Sequence, residues 1–164
     1  MTRYVCAVDP AAVSAIDVHT HIEQDSHGHE SMPHEFIAAS EKYFKAGDRT
    51  PHLETIAERY REWGMAAVIF TVDSESATGH PPISSEEIAT QAADHADVLI
   101  PFGSVDPRKG RSAVEQARRL VEDNGVMGFK FHPSLQDFDP SDDAFFPLWS
   151  EISDLGVPAL FHTG

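Results

Sequence analysis

Short apolar runs alternate along the chain with longer segments in which apolar residues return every three or four positions. The first run, Ala15 to His21, starts apolar and ends in two histidines one residue apart. A polar stretch from Ile22 to Pro33 follows, then a predicted helix from Glu35 to Tyr43 and a turn at Gly47-Asp48. Leu53, Ile56, Ala57, Tyr60 and Trp63 fall on one face of a second helix, which Gly64 ends. Ala66 to Val72 is almost continuously apolar, the pattern of a strand buried on both faces of a parallel sheet.

After a loop from Asp73 to Ile83, Ser84 and Glu87 have capping-box spacing and open a helix that reaches about His95. Val98 to Ser104 is the third strand, and Pro101 removes a ladder donor within it, so an irregularity is expected there. Ser112 to Glu122 is helical, with Val114, Ala117, Leu120 and Val121 on one side and Arg118 and Arg119 toward solvent. Gly128 to His132 is the fourth strand, broken at Pro133. Phe145 to Leu155 is a helix that accommodates Pro147 in its first turn, and Pro158 to His162 is the fifth strand. Trp63, Trp149, Phe145 and Phe146 lie in helical segments, where core packing is their expected role.

This alternation is that of βα units around a parallel sheet, an α/β fold. Five such units fit either a complete flavodoxin-like doubly wound sheet or the first five units of a (β/α)8 TIM barrel, which typically needs ~250 residues. A doubly wound domain normally covers its last strand with a helix, whereas Thr163 and Gly164 alone follow His162, and no Gly-rich phosphate loop follows the first strand. Residues 1–164 are therefore expected to be a single domain, the N-terminal part of a TIM barrel with about the first five βα units.

Composition narrows the partners. A formal net charge of −15, from 27 acidic and 12 basic residues, argues against nucleic acid and anionic membrane surfaces and leaves a small-molecule substrate, with a homo-oligomer as an option. The single cysteine, Cys6, allows no internal disulfide and is expected to be semi-buried. With no apolar run near the ~18 residues of a membrane span and no secretory leader pattern at the N-terminus, a cytoplasmic protein is expected.

In parallel α/β folds the chemistry gathers at the carboxyl ends of the strands. Histidines stand there at His19 and His21 on the first strand, His132 on the fourth and His162 on the fifth. Alternation along a strand puts His19 and His21 on one face, with Cα atoms roughly 6.6 Å apart, and places Asp17 on that face with them. Across a barrel mouth the first and fifth strands oppose each other, so His19, His21 and His162 can converge on one ion. Three histidines with an open position are the usual form of a catalytic zinc site, and imidazole also suits other divalent transition metals. His27, His29 and His34 follow the first strand over the mouth and are expected to be solvated, with lid contacts the minority reading. His52, His80 and His95 receive no role.

The segments Ile16-Asp17-Val18-His19-Thr20-His21, Gly128-Phe129-Lys130-Phe131-His132-Pro133 and Pro158-Ala159-Leu160-Phe161-His162-Thr163-Gly164 resemble the amidohydrolase superfamily, specifically its amidohydrolase-related branch. That branch includes aminocarboxymuconate-semialdehyde decarboxylase and related hydrolases. The resemblance implies a metal-dependent (β/α)8 enzyme with His19, His21 and His162 as ligands of one divalent ion, zinc first and Mn or Fe as alternatives. It implies further catalytic residues on strands six and eight, beyond Gly164. Other branches bridge two metals with a carboxylated lysine on the fourth strand; here the expected role of Lys130 is a substrate-carboxylate or supporting contact. His132 either lines the pocket or is satisfied by the turn at Pro133. Hydrolysis of a C–N or C–C bond is the leading expectation. The alternatives are non-oxidative decarboxylation of an aromatic or unsaturated keto acid, and a truncated, catalytically incomplete fragment that self-associates through open strand edges.

Overall fold

The computed structural model describes residues 2–44 and 51–163; the expected turn at Gly47-Asp48 lies outside them. Five parallel strands alternate with helices: β1 (Ile16–His21), α1 (His34–Phe44), α2 (Leu53–Glu62), β2 (Ala66–Phe70), α3 (Glu75–Thr78), α4 (Ser85–Ala92), β3 (Leu99–Pro101), α5 (Arg111–Glu122), β4 (Phe129–Phe131), α6 (Pro133–Gln136), α7 (Phe146–Asp154) and β5 (Ala159–Phe161). The ladders run β1-β2-β3 and β4-β5. A single parallel bridge from Gly103 to Phe129 joins them, with Gly103 N donating to Gly128 O at 2.9 Å and Lys130 N to Gly103 O at 2.8 Å. The thin junction follows from the irregularity expected at Pro101: β3 ends on that residue, which still accepts from Met127 N at 2.9 Å.

β2 is buried along its whole length, as its apolar run predicts. Leu53, Ile56, Ala57 and Tyr60 of α2 pack in one cluster with Ala67, Ile69 and Leu99, and Ala113, Ala117 and Leu120 of α5 pack in another with Phe129, Phe131, Leu148 and Ile152. Ser84 caps α4 by accepting from Glu87 N at 3.1 Å. Three expectations fail. Trp63 is 55% exposed and Phe146 66% exposed, because each sits at a helix terminus, past the last buried turn of α2 and before the first of α7. Cys6 is exposed, because it stands in the N-terminal segment past the buried Tyr4, where the chain runs over the surface with Val5 and Ala7 also exposed. Among the described residues no helix is long and apolar enough to cross a membrane.

The N-terminal segment ties the far ends of the elements together. Tyr4 is buried, its hydroxyl donating to Leu99 O at 2.7 Å and its N–H to Asn124 O at 2.9 Å. Arg3 Nε donates to Glu122 O at 3.0 Å, satisfying a carbonyl at the end of α5. Gly125 turns the chain there with φ +78°, and a Cβ at this position would run into the Tyr4 carbonyl. Gly125→Ala is expected to destabilise the fold by about 3 kcal/mol in urea unfolding, combining left-handed strain with overpacking; a change under about 0.5 kcal/mol would mean the N-terminal segment is not seated there.

Candidate metal centre

β1 does not keep a simple alternation. Its register against β2 advances three residues, Asp17 to Thr20, while β2 advances two, Ala67 to Ile69. One residue is therefore extra, a bulge that changes which side chains share a face. Asp17 Oδ2 accepts from Tyr60 OH at 2.7 Å, and Thr20 Oγ1 meets the same hydroxyl at 2.9 Å, so both residues face α2. His19 and His21 turn instead to Phe70, with ring centroids 5.5 and 4.8 Å from it. The expectation that Asp17 shares the histidines' face is thus corrected. Asp17 acts through the backbone: its Oδ1 accepts from His19 N at 2.9 Å and closes the bulge.

His19, His21, His132 and His162 line one cavity of about 620 Å3, with Glu23, Met32 and Leu135 beside them. The Nε2 atoms of His19 and His21 are 3.2 Å apart. The His162 ring meets His19 edge-on at 5.9 Å and stacks on His132 at 3.9 Å. Lys130 is fully buried; its Nζ lies 3.5 Å from His19 Nε2 and 5.0 Å from the centroid of the Phe70 ring. It has no carboxylate in ion-pair range among the described residues.

The partners of these rings locate their protons. An amine beside a ring nitrogen can donate to it, and a carboxylate can only accept. Lys130 therefore calls for a lone pair on His19 Nε2, and Glu23 Oε1, 3.4 Å from His21 Nδ1, calls for a proton on that nitrogen and a lone pair on His21 Nε2. The two Nε2 atoms, 3.2 Å apart, share one proton when either ring carries it there; with both rings protonated on Nδ1 instead, the same pair can share a cation in place of the proton and of the Lys130 contact. The spacing suits one: two nitrogens about 2.1 Å from a tetrahedral ion stand about 3.4 Å apart. Burial, then Lys130 and His162, lower the pKa of His19, and burial lowers that of Lys130, so the site favours neutral donors. Among the described residues, no group of three or more His, Cys, Asp or Glu is arranged so that it could hold a metal ion as it stands; the close nitrogen pair is that of His19 and His21.

His132 satisfies both readings made of it. Its Nδ1 accepts from Leu135 N at 3.2 Å, capping α6, which leaves Nε2–H as a donor while the ring lines the cavity. Burial, then His162 and Lys130, push its pKa down to about 4. The strand ends are held by a buried network: Ser104 Oγ donates to Lys130 O at 3.1 Å, and Gln136 accepts from His132 N at 2.8 Å while donating to Asp73 O at 2.8 Å and Val105 O at 3.1 Å. Lys109 pairs with Asp73 and Glu75, at 2.8 Å each, beside it.

Glu23 is the residue that sequence reading passed over, although His19, His21 and Glu23 continue one period-two spacing. The loop histidines are tied to backbone and side chains away from the cavity wall. His29 Nε2 bonds Pro81 O and His80 Nε2 bonds Glu30 O, both at 2.8 Å, with the two rings stacked at 5.2 Å. His34 meets Glu30 at 3.2 Å, and His27 lines a separate hollow with Glu87.

A parallel α/β chain with histidines gathered at its strand ends defines the class, and the sequence comparison defines the family. Residues 16–164 match the family described as Amidohydrolase, so the chain belongs to that family. No curated protein sequence matches it significantly. Two solved structures are similar in fold. One, described as an amidohydrolase from Staphylococcus aureus, has TM-score 0.63 and 14% identity, covering 91% of this chain and 47% of its own. The other is 5-carboxyvanillate decarboxylase from Novosphingobium aromaticivorans, complexed with manganese and 4-hydroxy-3-methoxy-5-nitrobenzoic acid; it has TM-score 0.66 and 12% identity, covering 99% of this chain and 53% of its own. This chain thus spans about half the length of either structure.

A buried cation without a carboxylate partner is a cost to folding. Lys130→Met keeps the stem and removes the charge, so it is expected to raise the metal-free unfolding free energy by about 1 kcal/mol in urea titrations with chelator. A loss of stability instead would mean that the ammonium supports the fold.

Proposed function

We propose that this chain forms part of a metal-dependent enzyme that cleaves a C–N or C–C bond in a small carboxylate- or carbonyl-bearing substrate, with His19, His21 and His162 holding one divalent ion. The observation that carries this reading is the pair of Nε2 atoms 3.2 Å apart, facing a third imidazole across one cavity. Neutral imidazole donors suit zinc, with manganese or iron as alternatives. The chemistry supplied at such a position is polarisation of a carbonyl or carboxylate oxygen and activation of water. His132, neutral and with Nε2–H free of the α6 cap, donates a hydrogen bond to a substrate oxygen. Lys130, behind His19 rather than on the open wall, supplies positive charge that favours a carboxylate group. Met32 and Leu135 give the substrate an apolar contact and exclude water.

The five strands are the first five βα units of a TIM barrel in this reading, in keeping with solved relatives about twice as long. The residues completing the reaction belong to later strands. The net charge of −15 and the single cysteine support a cytoplasmic enzyme acting on a small molecule, with a homo-oligomer as its assembly option.

Non-oxidative decarboxylation is the second reading, favoured by the fold likeness to a decarboxylase complexed with manganese. Here His132 donates to the substrate carboxylate or the adjacent oxygen, and Lys130 adds positive charge from behind His19.

Two measurements test these readings. Elemental analysis is expected to find one divalent ion per chain, and His19→Ala, His21→Ala and His162→Ala are each expected to lose most of it; unchanged stoichiometry in all three overturns the ligand assignment. With the longest available form of the protein, release of CO2 from phenolic or β-keto acids is the decarboxylase outcome, and new carboxylate or amine product with the original carboxylate retained is the hydrolase outcome.

A further inference from the structure

The alternation that carries His19 and His21 into the cavity does not stop where β1 ends. Ile22 N still donates to Phe70 O at 2.7 Å, so the backbone follows β2 for one more step. Ile22 is buried in the cluster beneath α2, and Glu23 comes out on the cavity side with His21. Glu23 is 7% exposed, an unusual place for a carboxylate unless its oxygens are engaged. They are: Oε2 accepts from Ser31 Oγ, and Oε1 lies 3.4 Å from His21 Nδ1. Ser31 is fixed in turn, its N–H donating to Glu23 O at 2.9 Å, at the foot of a loop closed by the antiparallel bridge between Gln24 and Glu30.

We propose that Glu23 is a positioning residue for His21. Its carboxylate accepts from Nδ1–H, holds the ring in one tautomer, and so keeps the Nε2 lone pair directed at the space beside His19 Nε2. Neutral imidazole in water prefers the opposite tautomer, with the proton on Nε2, and that form has no lone pair to offer there. A carboxylate behind a ligating histidine fixes the ring's orientation and raises its basicity. Ser31 completes the device: by donating to the other oxygen it stops the carboxylate from turning away, and it couples the loop over the cavity to the ring. The purpose of the arrangement rests on the metal reading above; the Glu23–His21 contact does not.

The test therefore uses one readout without metal and one with it. In the metal-free chain at mildly alkaline pH, two-bond proton–nitrogen correlation spectra of the imidazoles are expected to place the His21 proton on Nδ1 in the wild type and in Glu23→Gln, and to move it toward Nε2 in Glu23→Ala. In Zn2+ and Co2+ titrations Glu23→Ala is expected to weaken affinity about 10–100-fold, with an altered Co2+ absorption band, while the isosteric Glu23→Gln, still an acceptor, stays within about threefold. Ser31→Ala is expected to change both readouts in the direction of Glu23→Ala, by less, and carries the test if the latter does not fold.

A His21 proton on Nε2 in the wild type overturns the proposal whatever the metal titration gives. So does a Glu23→Ala affinity within twofold of wild type. Glu23→Gln as damaging as Glu23→Ala would make Glu23 a direct ligand rather than a positioning group, and also overturns it. A wild type that binds no divalent ion overturns the metal reading, while the tautomer still decides whether Glu23 orients His21.

Discussion

The bulge in β1 is closed by three hydrogen bonds that converge on one carboxylate and one phenol: His19 N to Asp17, Tyr60 OH to Asp17, and Tyr60 OH with Thr20 Oγ1. A strand paired on one side has no intrinsic reason to take in an extra residue. The carboxylate repays the disrupted ladder by accepting the His19 N–H, and the phenol anchors both ends of the irregularity to α2. With regular alternation Asp17 would enter the cavity beside the histidines, adding a negative charge to a place already crowded with donors. Sending it outward leaves the cavity four imidazoles and Glu23 beside His21, with Lys130 behind His19.

That inventory has an electrostatic consequence. Charge on Lys130, His19 and His132 together is opposed at such short range in a poorly solvated cavity. Burial lowers the pKa values of His19, Lys130 and His132, with neighbouring basic groups adding to it at the two rings, and neutral rings are what a cation needs as partners. The same crowding opposes folding, so something else must hold the strand ends. Gln136 and Ser104 do this through backbone groups, linking the ends of β2, β3 and β4 without contributing charge, and the Lys109–Asp73 pair lies outside the cluster. The thin β3–β4 junction left by Pro101 makes that stitching more consequential, because one bridge there replaces a ladder.

Period and punctuation in the sequence were enough to read the order of the five strands and the longer helices, the capped start of α4, the irregularity at Pro101 and the strand-end histidines, but not the single-turn helices α3 and α6, which are too short to show a period. They were not enough for the bulge. Val18 and His19 include neither glycine nor proline, and the register shift depends on a phenol from a helix some forty residues away. Glu23 was hidden differently: its spacing was visible, but the change from apolar to polar at Ile22 reads as loop, and only the Ile22 bond to Phe70 shows the strand geometry continuing. Trp63 and Phe146 were misjudged because helical periodicity locates a face and not the point at which packing ends. His132 has two ring nitrogens, and it uses one for the α6 cap and the other for the cavity, so neither reading had to exclude the other.

The surface and the cavity carry opposite electrostatics, and distance decides which of them a substrate meets. Acidic residues outnumber basic ones 27 to 12 over the whole chain, but exposed charges are screened over a Debye length of about 8 Å at physiological salt. Lys130 has no exposed surface, so little solvent intervenes between its ammonium and a group beside His19. At the cavity the nearest groups are instead the Lys130 amine behind His19 and the imidazole N–H of His132. The field at the strand ends therefore differs in sign from that of the chain as a whole.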